Sequence, residues 1–161
     1  MKSRSRALLV SAIALLAVVG CEDDDDIIVP DEPNAFTVTM TGLKERPNAI
    51  SPAGNGTATF ALDEAETTLS YTITVASMTS TITASHIHLG NANVAGGIII
   101  ALTTPVNGQT VTGTITNSTA LGLGLSFASL IDLIRNGDTY VNVHTSNNPG
   151  GEIRGQIDAV N

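Results

Sequence analysis

The feature that most limits what this chain can become is a two-residue alternation that recurs along most of its length. Phe36, Val38 and Met40 alternate with threonines. Ala58, Phe60 and Leu62 alternate with Thr57, Thr59 and Ala61, and Leu69, Tyr71, Ile73 and Val75 with Ser70, Thr72, Thr74 and Ala76. Successive side chains of a strand point to opposite faces, so each run predicts a strand with one apolar and one polar face. The threonines suit this, because β-branched side chains pack well on a pleated surface. Aromatic residues make up only 3% of the chain, so the core must come from Ile, Val, Leu and Ala. The denser run 98–103 is expected to be buried on both sides near the middle of a sheet. Asn107-Gly108, between that run and 110–116, is expected to form a type I′ hairpin turn. Two late strands are expected at 139–145 and 152–158.

One segment departs from the alternation. In 126–137, Phe127, Leu130, Ile131 and Ile134 fall at helical spacing, with Ser126 placed to cap the start and Asn136-Gly137 the end. About eight strands, one short helix and no long βα alternation predict an all-β domain, a β-sandwich or barrel with Greek-key connections. At 161 residues the chain suffices for one domain with a real core. It holds no Walker motif, dinucleotide fingerprint or Gly-x-Ser-x-Gly.

The beginning of the chain follows a different logic. Lys2, Arg4 and Arg6 precede an apolar run, 7–19, interrupted only by Ser11. That run is shorter than the roughly 20 residues of a spanning helix and has the layout of a secretory signal. It ends in Val18-Val19-Gly20-Cys21, which resembles a bacterial lipoprotein signal, with Cys21 lipidated at the mature N-terminus. Cys21 is the only cysteine, so no disulfide can form within the monomer. Residues 22–33 carry seven acids, no base and two prolines, which predicts an extended tether. Acidic runs after a lipidated cysteine also resemble surface-export signals of some bacterial lipoproteins. The expected organisation is a signal peptide at 1–20, a lipidated Cys21 with its acidic tether at 21–34, and a folded domain at 35–161. The chain would be exported and anchored by lipid to a bacterial membrane, with the outer membrane or cell surface as candidate destinations. Removal of the leader takes three bases and leaves 4 against 15 acids, or −11 in side-chain charge. Such a balance argues against nucleic acid, since little could neutralise phosphates.

All three histidines fall on expected strands. His86 and His88 share one face, with Ile87 and Leu89 on the other. Tyr140, Asn142 and His144 oppose Val141 and Val143, and Glu152, Arg154 and Gln156 point away from Ile153 and Ile157. If the apolar faces form the core, all three histidines point outward. A hairpin around 146–151 that pairs Thr145 with Gly151 sets His144 opposite Glu152 and Asn142 opposite Arg154. Two readings follow: a solvated polar face, or a metal site. Imidazoles at i and i+2, completed by a third from another strand, suit zinc or copper with an open position. Glu152 would then be placed to orient a ligand imidazole. Arg154 either pairs with a carboxylate such as Glu152 as a fold element or contacts a ligand.

The same segments resemble the CHRD family, named for the domain repeated in chordin and found in many bacterial secreted proteins. The resemblance rests on Ala84-Ser85-His86-Ile87-His88-Leu89-Gly90, on Gly96-Gly97 before an aliphatic run, and on the closing stretch YVNVHTSNNPGGEIRGQI, residues 140–157. The opening TGLKERPN, residues 41–48, also looks like the family's start, with Lys44 preceding Glu45 and Arg46 where other members often carry a small residue. The resemblance implies an immunoglobulin-like β-barrel distantly related to Cu/Zn superoxide dismutases, and no settled activity. Those enzymes place His-x-His on one strand and another histidine late in the chain. This chain lacks a bridging histidine, a zinc-ligand cluster and a cysteine pair, so it can build a mononuclear copper site but not the full dismutase site. The function expected is therefore an extracytoplasmic binding or structural module. Its partner, an extracellular protein or glycan, would meet the face around Tyr140, Asn142, Arg154 and Gln156. The alternative is a mononuclear copper or zinc protein using His86, His88 and His144, with superoxide turnover a further step. No paired carboxylates or nucleophile elbow support a hydrolase.

Overall fold

A computed structural model describes residues 34–117 and 124–159; the expected signal peptide, Cys21 and the acidic tether lie outside these residues. The strands are β1 (Ala35–Thr41), β2 (Asn55–Leu62), β3 (Thr68–Ala76), β4 (Ile82–Leu89), β5 (Ile98–Leu102), β6 (Thr110–Thr116), β7 (Thr139–Thr145), β8 (Ile153–Gln156) and the two-residue β9 (Asp158–Ala159). One helix, α1 (Phe127–Arg135), lies between β6 and β7. Eight strands form an antiparallel sheet in the order β5-β4-β7-β8-β1-β2-β3-β6, and β9 adds to β1.

The alternation in the sequence becomes the alternation in burial. Phe36, Val38 and Met40 are buried while their threonine neighbours are exposed or partly so. The pairing of β1 with β2 sets Phe36 against Phe60 and Val38 against Ala58. β3 continues the layer, with Tyr71 opposite Phe60 and Ile73 opposite Ala58. The apolar sides of these strands, of β4, β7 and β8, and of the helix join in one core.

The two ends of the sheet curl towards each other. Read as a ring, the strands run 1-2-3-6-5-4-7-8, a Greek-key order in which β5 and β6 form the one unpaired seam among the described strands. Tyr71 on β3 reaches across it. Its hydroxyl accepts from the Thr103 amide at 2.9 Å and lies 3.0 Å from Oγ1 of the same residue. Gly113 on β6 faces Tyr71 in the ladder, and a Cβ there would collide with the ring.

Two local expectations fail at the seam between β5 and β6. Residues 98–103 are not central: among the described residues β5 pairs only with β4, and Ile98 is 48% exposed. The density of its apolar run reflects a register shift at Ile87/His88, after which both Ile99 and Ile100 turn inward. Asn107-Gly108 does form a turn, closed by the Gln109 amide on the Val106 carbonyl, but not a hairpin. Only Gly108 of that pair has positive φ (79°), and the turn carries the chain from one end of the sheet to the other.

The helix is as expected. Ser126 caps it by accepting from the Ser129 amide at 3.1 Å, and Gly137 leaves it at φ 70°. Phe127, Leu130, Ile131 and Ile134 form its buried face.

Candidate metal centre

Strand pairing brings the histidines together. β4 and β7 run antiparallel with Ala84 opposite His144, His86 opposite Asn142 and His88 opposite Tyr140. β8 then sets Arg154 beside Asn142 and Gln156 beside Tyr140. The Asn142–Arg154 pairing is the one expected from the hairpin. One sheet face thus gathers His86, His88, Tyr140, Asn142, His144, Arg154 and Gln156.

This face is not the solvated exterior that the alternation suggested. Every residue of β7 is buried, and so are His88 and His144; only His86 is partly open. Three loops cover the face. From the loop after β4, the carbonyls of Gly90, Asn91, Val94 and Gly96 accept from Gln156, Arg154, Arg154 and Tyr140 respectively. From the loop before β8, the Pro149 carbonyl meets His144. Gly151, at φ 131°, lies so close to Asn142 that a Cβ would overlap its amide. From the β1–β2 connection, the Glu45 carboxyl reaches Asn142 Nδ2 at 3.4 Å. Tyr140, Asn142 and Arg154 are buried and Gln156 is half-buried, so this face is not an open polar exterior. These side chains pin the loops that roof the histidines.

One nitrogen from each of His86, His88 and His144 lies within 4.8 Å of the other two. His88 Nε2 and His144 Nε2 are 3.4 Å apart. The Nδ1 atom of each faces a backbone carbonyl at 3.0 Å, Gly96 for His88 and Pro149 for His144. A carbonyl only accepts, so each Nδ1 carries the hydrogen and a neutral ring leaves a bare lone pair on Nε2. Two bare lone pairs facing each other repel, and a shared cation relieves that. His86 Nδ1 is also buried and has no hydrogen-bond partner among the described residues. Metal–nitrogen bonds of about 2.0–2.1 Å set two tetrahedral ligand atoms about 3.3–3.4 Å apart, close to the distance found. The His88–His144 pair therefore fits a common ion, and a nitrogen of His86 within 4.8 Å of both is the candidate third ligand.

The electrostatics agree. Burial holds His88 down at about 4, helped by His144, His86 and Arg154, against the Gly96 hydrogen bond. Burial also lowers His144, against the pull of its Pro149 bond. Burial, then the nearness of His144, lowers His86. Neutral imidazole is the form that binds metal.

Glu152 does not orient an imidazole. Its buried carboxylate accepts from Gly54 N at 3.0 Å, Thr79 N at 2.8 Å, Thr79 Oγ1 at 2.7 Å and Thr145 Oγ1 at 2.8 Å. Asn148 Nδ2 stands 3.4 Å away. Glu152 is thus a brace for the loop that carries Pro149, and backbone carbonyls take the orienting role. Nor does Arg154 pair with Glu152. Its guanidinium lies 3.4 Å over the Tyr140 ring, which stacks on His88 at 4.9 Å and 14°. Glu45, Gly96 and Pro149 had no metal-site signal in the sequence, because two act through backbone atoms and Glu45 arrives from a distant loop.

These features define an all-β domain with a roofed three-imidazole site on one sheet face. The chain belongs to the CHRD domain family, whose model matches residues 36–157. Neither a search of curated proteins nor one of solved structures found a match.

Proposed function

We propose that this CHRD domain is an extracytoplasmic binding module whose ligand is a transition-metal ion, copper or zinc, held by His86, His88 and His144. The observation that carries this reading is the pair of Nε2 atoms 3.4 Å apart, each on a ring whose Nδ1 is committed to a carbonyl. Bound there, the ion would supply Lewis acidity or, as copper, a one-electron couple. The domain's own residues supply neutral ligands, a fixed tautomer and a cover that limits water to the side of His86. The leader and Cys21 support a lipid-tethered location outside the cytoplasm, with residues 22–34 as spacer.

Titration of the full-length protein with Cu(II) and Zn(II) tests the reading. One equivalent should bind with sub-micromolar affinity, and His86→Ala and His144→Ala should each weaken binding by about a hundredfold or more. Weak binding that ignores both substitutions would remove the metal reading and leave a tethered domain with another ligand.

A further inference from the structure

Cations are scarce in the domain and unevenly placed. Beyond residue 20 the chain has Lys44, Arg46, Arg135 and Arg154 against 15 acids. Arg135 pairs with Glu66 at 2.7 Å. The other three line a single cavity of about 220 Å³, shared with Ala92, Gln156 and Asp158. Among the described residues, none of the three is within ion-pair distance of a carboxylate.

Arg154 makes this arrangement informative. It is 2% exposed, yet its guanidinium meets only the Val94 and Asn91 carbonyls, at 2.9 and 2.7 Å, and the Tyr140 ring. A buried charge lacking a counter-charge is costly, and carbonyls supply dipoles but no charge. Glu45 acts on it from a distance, but burial keeps that carboxyl protonated up to about pH 7. Lys44 Nζ donates to the Thr39 carbonyl at 2.7 Å and one Arg46 nitrogen to the Glu45 carbonyl at 2.8 Å, so both cations keep spare donors. Asp158 is the one acid lining the cavity, leaving it with an excess of positive charge in a strongly acidic chain. The volume is below the roughly 300–1,000 Å³ usual for drug-sized ligands, which favours a small ion.

We propose that this cavity binds a small oxyanion, a phosphate or carboxylate group, between Lys44 and Arg46 with Arg154 as the fixed charge behind them. The cavity shares Arg154 and Gln156 with the anchors of the roofing loop, but the proposal does not require a bound metal ion. Its test is calorimetric titration of metal-free full-length protein, at low salt, with inorganic phosphate and separately with citrate. At least one probe should saturate a single site per chain, and binding should weaken as sodium chloride is added. The probe that saturates at lower concentration tells phosphate from carboxylate. The Lys44→Gln/Arg46→Gln double variant should lose at least about tenfold in affinity while keeping the wild-type circular dichroism. Arg135→Gln, which also removes a positive charge, should bind like wild type. The proposal is overturned if neither probe saturates, if the double variant binds as wild type does, or if Arg135→Gln loses as much.

Discussion

At His88 and His144 the decisive atoms are the ones turned away from each other. By committing Nδ1 to Gly96 and Pro149, the fold decides which nitrogen is free and where it points. Burial then makes protons poor competitors for it. Since His88 is pushed down to about 4, and His86 and His144 also lie below their ordinary value, metal affinity should fall less from pH 7.5 to about 5.5 than it would for three ordinary histidines. A site of ordinary histidines would lose affinity steeply through pH 6.5, and calorimetry across that range separates the two cases. Glu45 has the opposite sense. Burial raises it from 4.5 to about 7, against Arg154 and Asn142, so the folded state holds its proton more tightly than the unfolded chain does. Its contribution to stability is complete below pH 4.5 and is lost as pH rises through 7. Glu45→Gln should therefore gain in melting temperature relative to wild type as pH goes from 5 to 8. A difference that stays constant with pH would contradict this.

At the scale of elements, the site depends on loops as much as on strands. Tyr140 joins the two: its hydroxyl accepts from the Gly96 amide at 3.0 Å and donates to the Gly96 carbonyl at 3.3 Å, the same carbonyl that holds His88. Tyr140→Phe should speed hydrogen exchange at the Gly96 amide and lower metal affinity by roughly tenfold. Unchanged exchange there would mean that the loop is held without Tyr140. The helix provides a local control remote in chemistry: Ser126→Ala should cost about 1 kcal/mol in denaturant unfolding and leave metal binding intact. How much of this was legible depends on range. Alternation in 36–40, 57–62 and 69–76 and the helical spacing in 126–137 are local, and they were readable. So was the shared face of His86 and His88. Period two separates two faces but does not say which is roofed. The roof is built from glycine-rich polar loops that have no periodicity, so the face of Tyr140 and Arg154 read as exterior. The edge position of β5 was hidden likewise, because a bulge at Ile87/His88 buries consecutive isoleucines as a central strand would.

For the whole molecule, a nearly closed sheet gives rigidity to a site drawn from β4 and β7, where His144 lies more than fifty residues beyond His86 and His88 in sequence. Seven paired positions between β4 and β7, and the core both strands share, fix the ring positions. The proposed lipid anchor belongs to this scale too. Cys21→Ser should move the protein from the detergent phase to the aqueous phase in a phase-partition assay without altering the domain's metal affinity; retention in the detergent phase would argue for another means of attachment. The central claim is that three imidazoles share one ion, and electron paramagnetic resonance of full-length protein loaded with one equivalent of Cu(II) tests it most directly. The account predicts a single copper species whose superhyperfine pattern arises from three nitrogens and collapses in His144→Ala. A spectrum of loosely held aqueous copper, or one unchanged by that substitution, would contradict it.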